Sequence, residues 1–141
     1  MTWGKLPLNI EIKAIEDLGL LLDLLAGYPQ PSTAGALPWI LISSFNHQVL
    51  VELRRRNCRW PLAPITTGDQ LDIQAELDLI SPWSWHFDDD FMNFALVDRL
   101  RQQGIPSFVF TVNSSERALE LRQYGVSGVF TDYPSKMTEI V

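Results

Sequence analysis

Residues 106–132, "PSFVFTVNSSERALELRQYGVSGVFTD", alternate between the pattern of a strand and the pattern of a helix. The runs "PSFVFTV" and "SGVFTD" are short, apolar and rich in β-branched and aromatic residues, which is typical of buried strands. Between them, "SSERALELRQYG" offers Ser114 or Ser115 as a helix cap and Gly125 as a stop. This strand–helix–strand order predicts two parallel strands joined by a helix.

The same alternation extends towards the amino terminus. Further strands are predicted at "LNIEIK" (8–13), "PWILISSF" (38–45), "LAPIT" (62–66) and, as a strand-like stretch, "LISPWSWHF" (79–87). Further helices are predicted within 14–31 with a stop at Gly27, over 46–57, and at "FMNFALVDRLRQQG" (91–104) with Phe91 turned inward and Gly104 as the stop. The segment "GDQLDIQAELD" (68–78) is predicted to be irregular or weakly helical. About six strands alternating with helices indicate an α/β fold with a parallel sheet and helices outside it.

The stretch "LNIEIK" departs from the continuous apolar pattern of a parallel strand that is covered on both faces. Its apolar residues alternate with Asn9, Glu11 and Lys13, so these three polar side chains share one face of the strand. A solvent-exposed antiparallel strand is one explanation. The other is a (β/α) barrel, in which the inner face near the carboxyl end of a strand lines the reaction site.

Composition narrows the classes of function. The 141 residues are 46% hydrophobic and 20% charged, with a formal net charge of -6, so we expect a soluble globular protein that does not bind nucleic acid. The basic cluster of Arg54, Arg55, Arg56 and Arg59 is predicted to complement a helix dipole. A lone Cys58, the absence of a signal-peptide pattern and the shortness of the apolar run 18–26 lead us to expect a cytoplasmic protein without a membrane span.

Four stretches in order, "LNIEIK", "ISSFNHQVL", "FVFTVNSSERALELRQYGV" and "GVFTDYP", resemble the glycerophosphodiester phosphodiesterase family. The resemblance implies a TIM barrel that hydrolyses a glycerophosphodiester substrate to glycerol 3-phosphate and an alcohol, with a divalent cation, Mg²⁺ or Ca²⁺. The family usually has a tryptophan before "TVN", and Phe110 stands there in this sequence.

The resemblance also assigns roles to individual residues. Glu11 looks like the metal-ligand glutamate of the family, and Lys13 looks like the basic residue close to the phosphate. A carboxylate is a hard oxygen ligand, and an ammonium two residues further along projects from the same strand face. Phe45 and Phe110 are expected to bind substrate. A structural ion pair between Glu11 and Lys13 and a core position for Phe45 are the alternatives.

Three motifs of the family have no match in this sequence: a His-Arg pair, a Glu-x-Asp metal pair and a His-Asp pair. We therefore expect residues 1–141 to form a family domain that is incomplete at its amino terminus, a partial TIM barrel with the first βα units missing, because a whole barrel takes about 250 residues. No catalytic residue is assigned. His47 is predicted to have a capping or solvent-facing role, and His86 is predicted to lie beside a solvated acidic loop formed by residues 88–90.

Three readings of the function follow. In the first, the chain is the carboxyl-terminal portion of a phosphodiesterase of lipid metabolism and is inactive when isolated. In the second, it is a non-enzymatic truncated barrel that pairs with itself or with a chain that supplies the missing half, because open sheet edges favour association. In the third, it is a truncated product without a function.

Overall fold

The computed structural model describes residues 6–28, 40–68 and 73–138. Within them, six strands are hydrogen-bonded in chain order, and every pair is parallel. The strands are β1 (Leu8–Glu11), β2 (Ile40–Ser44), β3 (Leu62–Thr66), β4 (Trp85–Asp88), β5 (Ser107–Phe110) and β6 (Gly128–Val129). The helices are α1 (Leu18–Ala26), α2 (His47–Arg55), α3 (Ile73–Ile80), α4 (Phe94–Gln102), α5 (Ser115–Gln123) and α6 (Pro134–Met137). The α/β class and the partial TIM-barrel topology are confirmed.

Side-chain caps explain where four of the helices begin. In each case a side-chain oxygen accepts a hydrogen bond from a backbone N–H two or three residues further along, which satisfies a donor that the first helical turn leaves unpaired. The capping residues are Asp17 for α1, Asn46 for α2, Asn93 for α4 and Ser114 for α5. Two of the predicted stops, Gly104 and Gly125, adopt φ angles of 76° and 91°, which a residue with a Cβ rarely does.

The contacts divide the chain into two compact units, each with its own apolar core. In the first unit, the described residues up to Pro64 are joined by Gln74–Pro82. One face of β1, β2 and β3 packs against helix residues to form its core, which comprises Ile12, Leu25, Ile40, Ile42, Leu50, Val51, Leu53, Cys58, Trp60, Leu62 and Ile80. All five residues of β2 are buried, as expected of a parallel strand that is covered on both faces.

The second unit comprises the described residues of Ile65–Ile73 and of the chain from Trp83 onwards. Its buried apolar side chains come from β4, β5 and the helices that follow them, and include Trp85, Phe87, Val97, Leu100, Val109 and Leu121. The sequence did not predict α6, a four-residue helix that starts at Pro134 and buries Met137. No helix in the described ranges is long and apolar enough to cross a membrane.

Two predictions around α3 and α4 are wrong in part. Residues 73–80 form a regular helix whose inward side is Ile73, Leu77 and Ile80, so the apolar pair at 79–80 ends a helix and does not begin a strand. The chain turns at Ser81, with a φ angle of 48°, and strand pairing starts only at Trp85. Phe91 lies in a 3-10 turn and is 55% exposed, because α4 begins three residues after it.

The predicted basic cluster also separates into residues with different contacts. Arg54 turns away from the end of its own helix and donates four hydrogen bonds to backbone carbonyls, those of Cys58, Trp60, Ile80 and Ser81. Arg55 and Arg56 remain on the surface and pair with Glu52. Arg54 therefore holds the α2–β3 connection against the carboxyl end of α3.

Candidate functional site

Glu11 ends β1, and Lys13 follows two residues later. The Lys13 Nζ atom lies 3.9 Å from Glu11 Oε1, with the lysine side chain 82% exposed and the glutamate side chain 32% exposed. An exposed pair at this distance contributes less than about 1 kcal/mol to stability. The ion pair therefore contributes little to the stability of the fold. Both charged groups are accessible to a ligand.

Ser43 lies beside Glu11 in the sheet. Glu11 is in register with Ser43 on β2, and Ser43 is in register with Ala63 on β3, so the three side chains lie on the same face. Ser43 is completely buried, and its Oγ is the only buried side-chain polar atom in the described part of the chain that lacks a hydrogen-bond partner. An unsatisfied buried hydroxyl costs about 1–3 kcal/mol.

Ser44, the next residue, is equally buried on the opposite face, and its hydroxyl is fully used. It donates to the Ile12 carbonyl at 2.7 Å and accepts from the Asn46 N–H at 3.0 Å. These bonds join the carboxyl end of β1 to the start of α2. Of the two adjacent serines, Ser44 therefore has a structural role, whereas Ser43 has an unused hydroxyl next to a carboxylate.

His47 has neither of the roles that the sequence predicted. Asn46 provides the cap of α2, and the His47 side chain is 13% exposed. Its Nδ1 lies 2.8 Å from Glu76 Oε2 in the first turn of α3. The imidazole and the carboxylate thus form a partly buried pair, which the sequence separation of 29 residues concealed.

A divalent cation requires several oxygen ligands, and the first unit supplies some of them. Across residues 6–28, 40–68 and 73–138, no three His, Cys, Asp or Glu side chains are close enough to hold a metal ion. The carboxylate of Glu11 is a hard oxygen donor of the kind that Mg²⁺ and Ca²⁺ prefer, and the unpartnered hydroxyl of Ser43 lies beside it on the same face. The donor chemistry fits one side of a coordination sphere.

The two predicted substrate-binding aromatics occupy corresponding places in different units. Phe45 follows the last residue of β2 and is 49% exposed, which excludes a core position. Phe110 ends β5 in the second unit, is half-buried, and is in register with Asp88 at the end of β4. Both therefore lie at the carboxyl end of a strand, where a barrel carries its functional groups.

In the second unit, the "TVN" stretch (111–113) is hydrogen-bonded to the "TDYP" stretch (131–134). The Asn113 side chain donates to Asp132 Oδ2 at 3.0 Å, and its carbonyl oxygen accepts from the Thr131 hydroxyl at 3.1 Å and from the Asp132 N–H at 3.0 Å. These bonds join the segments that follow β5 and β6. The two motifs therefore have a structural explanation that is independent of catalysis.

The acidic run 88–90 is not simply a solvated loop, and that prediction is corrected. The Asp88 side chain accepts from the Asp90 N–H at 3.0 Å. Asp89 binds the guanidinium of Arg117 on α5 at 2.8 and 2.9 Å, and only Asp90 remains exposed. The hydrogen bonds that Arg117 donates to Asp89, and then to Glu120, raise the pKa of Arg117 above its usual value. The run joins the end of β4 to α5.

His86 lies on β4 and is enclosed by aromatic side chains from other parts of the second unit. It is 1% exposed, its Nε2 lies 3.1 Å from the Ser84 hydroxyl, and the rings of Phe130 and Phe108 lie at centroid distances of 4.9 and 5.6 Å. Burial disfavours the charged form and lowers the pKa of His86 to about 4. The histidine is therefore neutral near pH 7 and lies within the packed interior.

We expect the buried His86 to make stability depend on pH. Its pKa is about 4 in the folded chain and about 6.5 when unfolded, so the unfolded state binds the proton more tightly. The histidine's contribution is complete above about pH 6.5, and we expect it to fall by about 2 kcal/mol between about pH 7 and about pH 4.5. Urea unfolding of the wild type and of His86→Gln across this range tests it, because carboxylate titrations cancel in the difference. Parallel profiles for the two proteins would contradict the prediction.

Comparison with known proteins gives a consistent family and fold. The sequence model of the "Glycerophosphoryl diester phosphodiesterase family" matches residues 26–136. No curated protein matches the sequence. A phosphodiesterase from Oleispira antarctica, solved in complex with the product sn-glycerol-3-phosphate, is 25% identical with a TM-score of 0.78. The match covers 95% of this chain and 54% of that protein.

Two more distant structures have the same fold. A glycerophosphodiester phosphodiesterase from Thermotoga maritima is 21% identical with a TM-score of 0.73, and the match covers 96% of this chain and 57% of that one. A protein from Galdieria sulphuraria that is assigned as a glycerophosphodiester phosphodiesterase is 17% identical with a TM-score of 0.78. The match again covers 96% of this chain and 57% of that one. The chain thus spans a little over half the length of these proteins.

Proposed function

Because the chain belongs to the glycerophosphoryl diester phosphodiesterase family, we propose that it carries part of a cation-dependent site that hydrolyses glycerophosphodiesters to glycerol 3-phosphate and an alcohol. We further propose that the chain has negligible activity when isolated. The observation that carries the first proposal is the placement of Glu11 and Lys13 at the carboxyl end of β1, accessible and only weakly paired with each other. The glycerol 3-phosphate bound to the Oleispira protein supports the substrate class.

The two charged residues have complementary roles in this proposal. Glu11 would hold a divalent cation through its carboxylate, with Ser43 adjacent, and the remaining oxygen ligands would come from elsewhere. Such a cation, when bound, neutralises charge on a phosphoryl oxygen. The Lys13 ammonium neutralises a second phosphodiester oxygen, while Phe45 lines the glycerol side. For Phe110, which lies in the second unit, a substrate contact stays a separate prediction. Mg²⁺ and Ca²⁺ both suit these donors.

The proposed inactivity follows from the lack of a proton donor and acceptor. Hydrolysis of a phosphodiester needs groups that take up and release protons on either side of phosphorus. The histidine motifs that the family uses for this purpose have no match in the sequence. Of the two histidines present, His47 is bonded to Glu76, and His86 is buried among aromatic rings.

Hydrolysis of glycerophosphocholine with divalent metal tests the proposed function. It should be measured on this chain alone and on the chain mixed with a family amino-terminal segment that carries the three missing motifs. We expect activity only in the mixture, and a loss of roughly 100-fold or more when Glu11→Gln removes the metal-binding carboxylate. Glu16→Gln, an exposed glutamate before α1, is the matched control and should leave the activity of the mixture unchanged.

Two results would count against this proposal. Hydrolysis by the highly purified chain alone that is lost in Glu11→Gln would show that the chain is active without a partner. If neither sample hydrolyses glycerophosphocholine, although the protein is shown to be folded, the proposed contribution to catalysis is contradicted and only the shared fold remains.

A second function is favoured by the edges of the sheet. Among the described strands, β1 pairs only with β2 and β6 pairs only with β5, so each has one edge without a partner strand. Unpaired strand edges favour association with another chain. We therefore propose, as the alternative, a non-enzymatic module that pairs with itself or with a partner that supplies further βα units. Mass in solution discriminates, because a well-behaved monomer with little dye binding would count against it.

A further inference from the structure

We infer that Ser43 is the positioning residue of Glu11: its hydroxyl donates a hydrogen bond to the Glu11 carboxylate when that carboxylate binds a divalent cation. The inference rests on the proposed function, because it takes Glu11 as the metal ligand. It adds a residue that neither the sequence motifs nor the comparisons assign. Three observations in the first unit carry it: the sheet register, the unused hydroxyl and the apolar side chain of the other residue in register with Ser43.

The sheet register places the two side chains together. Glu11 and Ser43 are paired residues on adjacent parallel strands, and the Ile12 N–H bonds to the Ser43 carbonyl at 2.8 Å, which fixes this register. Neighbouring strands lie about 4.8 Å apart, and paired side chains project from the same face. A change of rotamer in the partly exposed Glu11 side chain is therefore enough to bring its carboxylate to the serine.

The Ser43 hydroxyl has a donor to offer. Ser43 is fully buried, and its Oγ has no hydrogen-bond partner, whereas the adjacent and equally buried Ser44 both donates and accepts. Buried hydroxyl groups are almost always paired in folded proteins, so an exception requires an explanation. A hydrogen bond that forms when Glu11 is turned towards its ligand accounts for this exception.

Glu11 is the only suitable acceptor among the residues in register with Ser43. On the other side Ser43 is paired with Ala63, which has no polar side-chain atom. The Lys13 ammonium lies 3.9 Å from Glu11 Oε1, beyond hydrogen-bonding distance. A carboxylate can accept several hydrogen bonds at once, so one oxygen can bind a cation while the other accepts from Ser43.

A hydrogen bond to a ligating carboxylate affects metal affinity more than folding. Loss of such an outer partner typically weakens metal binding by roughly 10- to 100-fold. In the absence of metal, removal of an unpaired buried hydroxyl should leave the unfolding temperature unchanged or raise it, since a desolvated group without a partner is lost. Removal of the hydroxyl should therefore weaken metal binding without lowering the unfolding temperature. A serine with a purely structural role would not show this combination.

The experiment measures, by calorimetry, the binding of Mn²⁺ to the full chain mixed with the family amino-terminal segment that carries the missing motifs, together with the unfolding temperature of the full chain without metal. The variants are Ser43→Ala, Ser43→Thr, Ser44→Ala and Glu11→Gln. We expect Ser43→Ala to weaken Mn²⁺ binding by roughly tenfold and to keep the metal-free unfolding temperature. Ser43→Thr, which retains the hydroxyl, should restore most of the affinity. Ser44→Ala, the matched control, should lower the unfolding temperature with little change in affinity.

Each remaining outcome overturns the inference. If Glu11→Gln weakens binding and Ser43→Ala does not, Glu11 is the ligand without help from Ser43, and the proposed function stands. If Glu11→Gln has no effect in the mixture, or the wild-type mixture binds Mn²⁺ no better than the amino-terminal segment alone, the metal role of Glu11 in the proposed function fails as well. A lower metal-free unfolding temperature in Ser43→Ala, with unchanged affinity, would make Ser43 structural.

Discussion

Replacement of Arg54 by alanine is expected to lower the free energy of unfolding by about 3 kcal/mol. The guanidinium donates to four backbone carbonyls at 2.6–3.2 Å: those of Cys58, Trp60, Ile80 and Ser81. Alanine would leave these acceptors without their donor at the junction between the α2–β3 connection and the end of α3. Hydrogen bonds from a charged donor contribute more than those between neutral groups, and their loss leaves partly buried carbonyls unsatisfied.

The neighbouring arginines provide the control for this prediction. The side chains of Arg55 and Arg56 are 72% and 45% exposed, and within the described part of the chain both pair with Glu52. Their replacement by alanine should change stability by less than about 1 kcal/mol. Arg54→Lys should lose most of what alanine loses, because one ammonium cannot reproduce a fork of donors. Chemical denaturation of the four variants at constant pH provides the comparison. Equal effects at positions 54, 55 and 56 would contradict a special role for Arg54.

Truncation of Trp85 to alanine should be still more costly, at about 4 kcal/mol. Trp85 is completely buried on β4, and its indole N–H donates to Thr66 Oγ1 at 3.3 Å. Alanine would leave a large cavity in the core of the second unit and remove this bond. Trp60 is buried like Trp85, so these two of the five tryptophans in the sequence do not contribute to an exposed apolar surface.

Trp85→Phe separates packing from hydrogen bonding. Phenylalanine keeps most of the apolar contact but has no donor for Thr66, so a loss of about 1–2 kcal/mol is expected. Equilibrium unfolding in urea, followed by circular dichroism so that loss of the indole does not affect the signal, measures both variants. A loss in Trp85→Ala no larger than that in Trp85→Phe would show that the core collapses around the smaller side chain.

The candidate site could be predicted only in part. Glu11 and Lys13 stand out because their polar positions interrupt an apolar period along one strand, and that pattern is local. Nothing local distinguishes Ser43 from Ser44, since both follow the same apolar run. Their difference depends on which face of β2 each one occupies and on the groups that β1 and α2 bring there. The His47–Glu76 pair likewise joins residues on different helices.

The sequence by itself determined the class and order of the elements in this protein. Apolar periodicity marked the strands and most helices, capping residues and glycines marked several helix ends, and four stretches in register indicated the family, because all of these signals lie within a few residues of one another. Only the tertiary structure decided which polar groups are paired, since hydrogen bonding depends on residues that are distant in the chain. In the folded chain His86 is buried as a neutral side chain, and Arg54 joins the α2–β3 connection to the end of α3. The Ser43 hydroxyl, beside Glu11, has no partner.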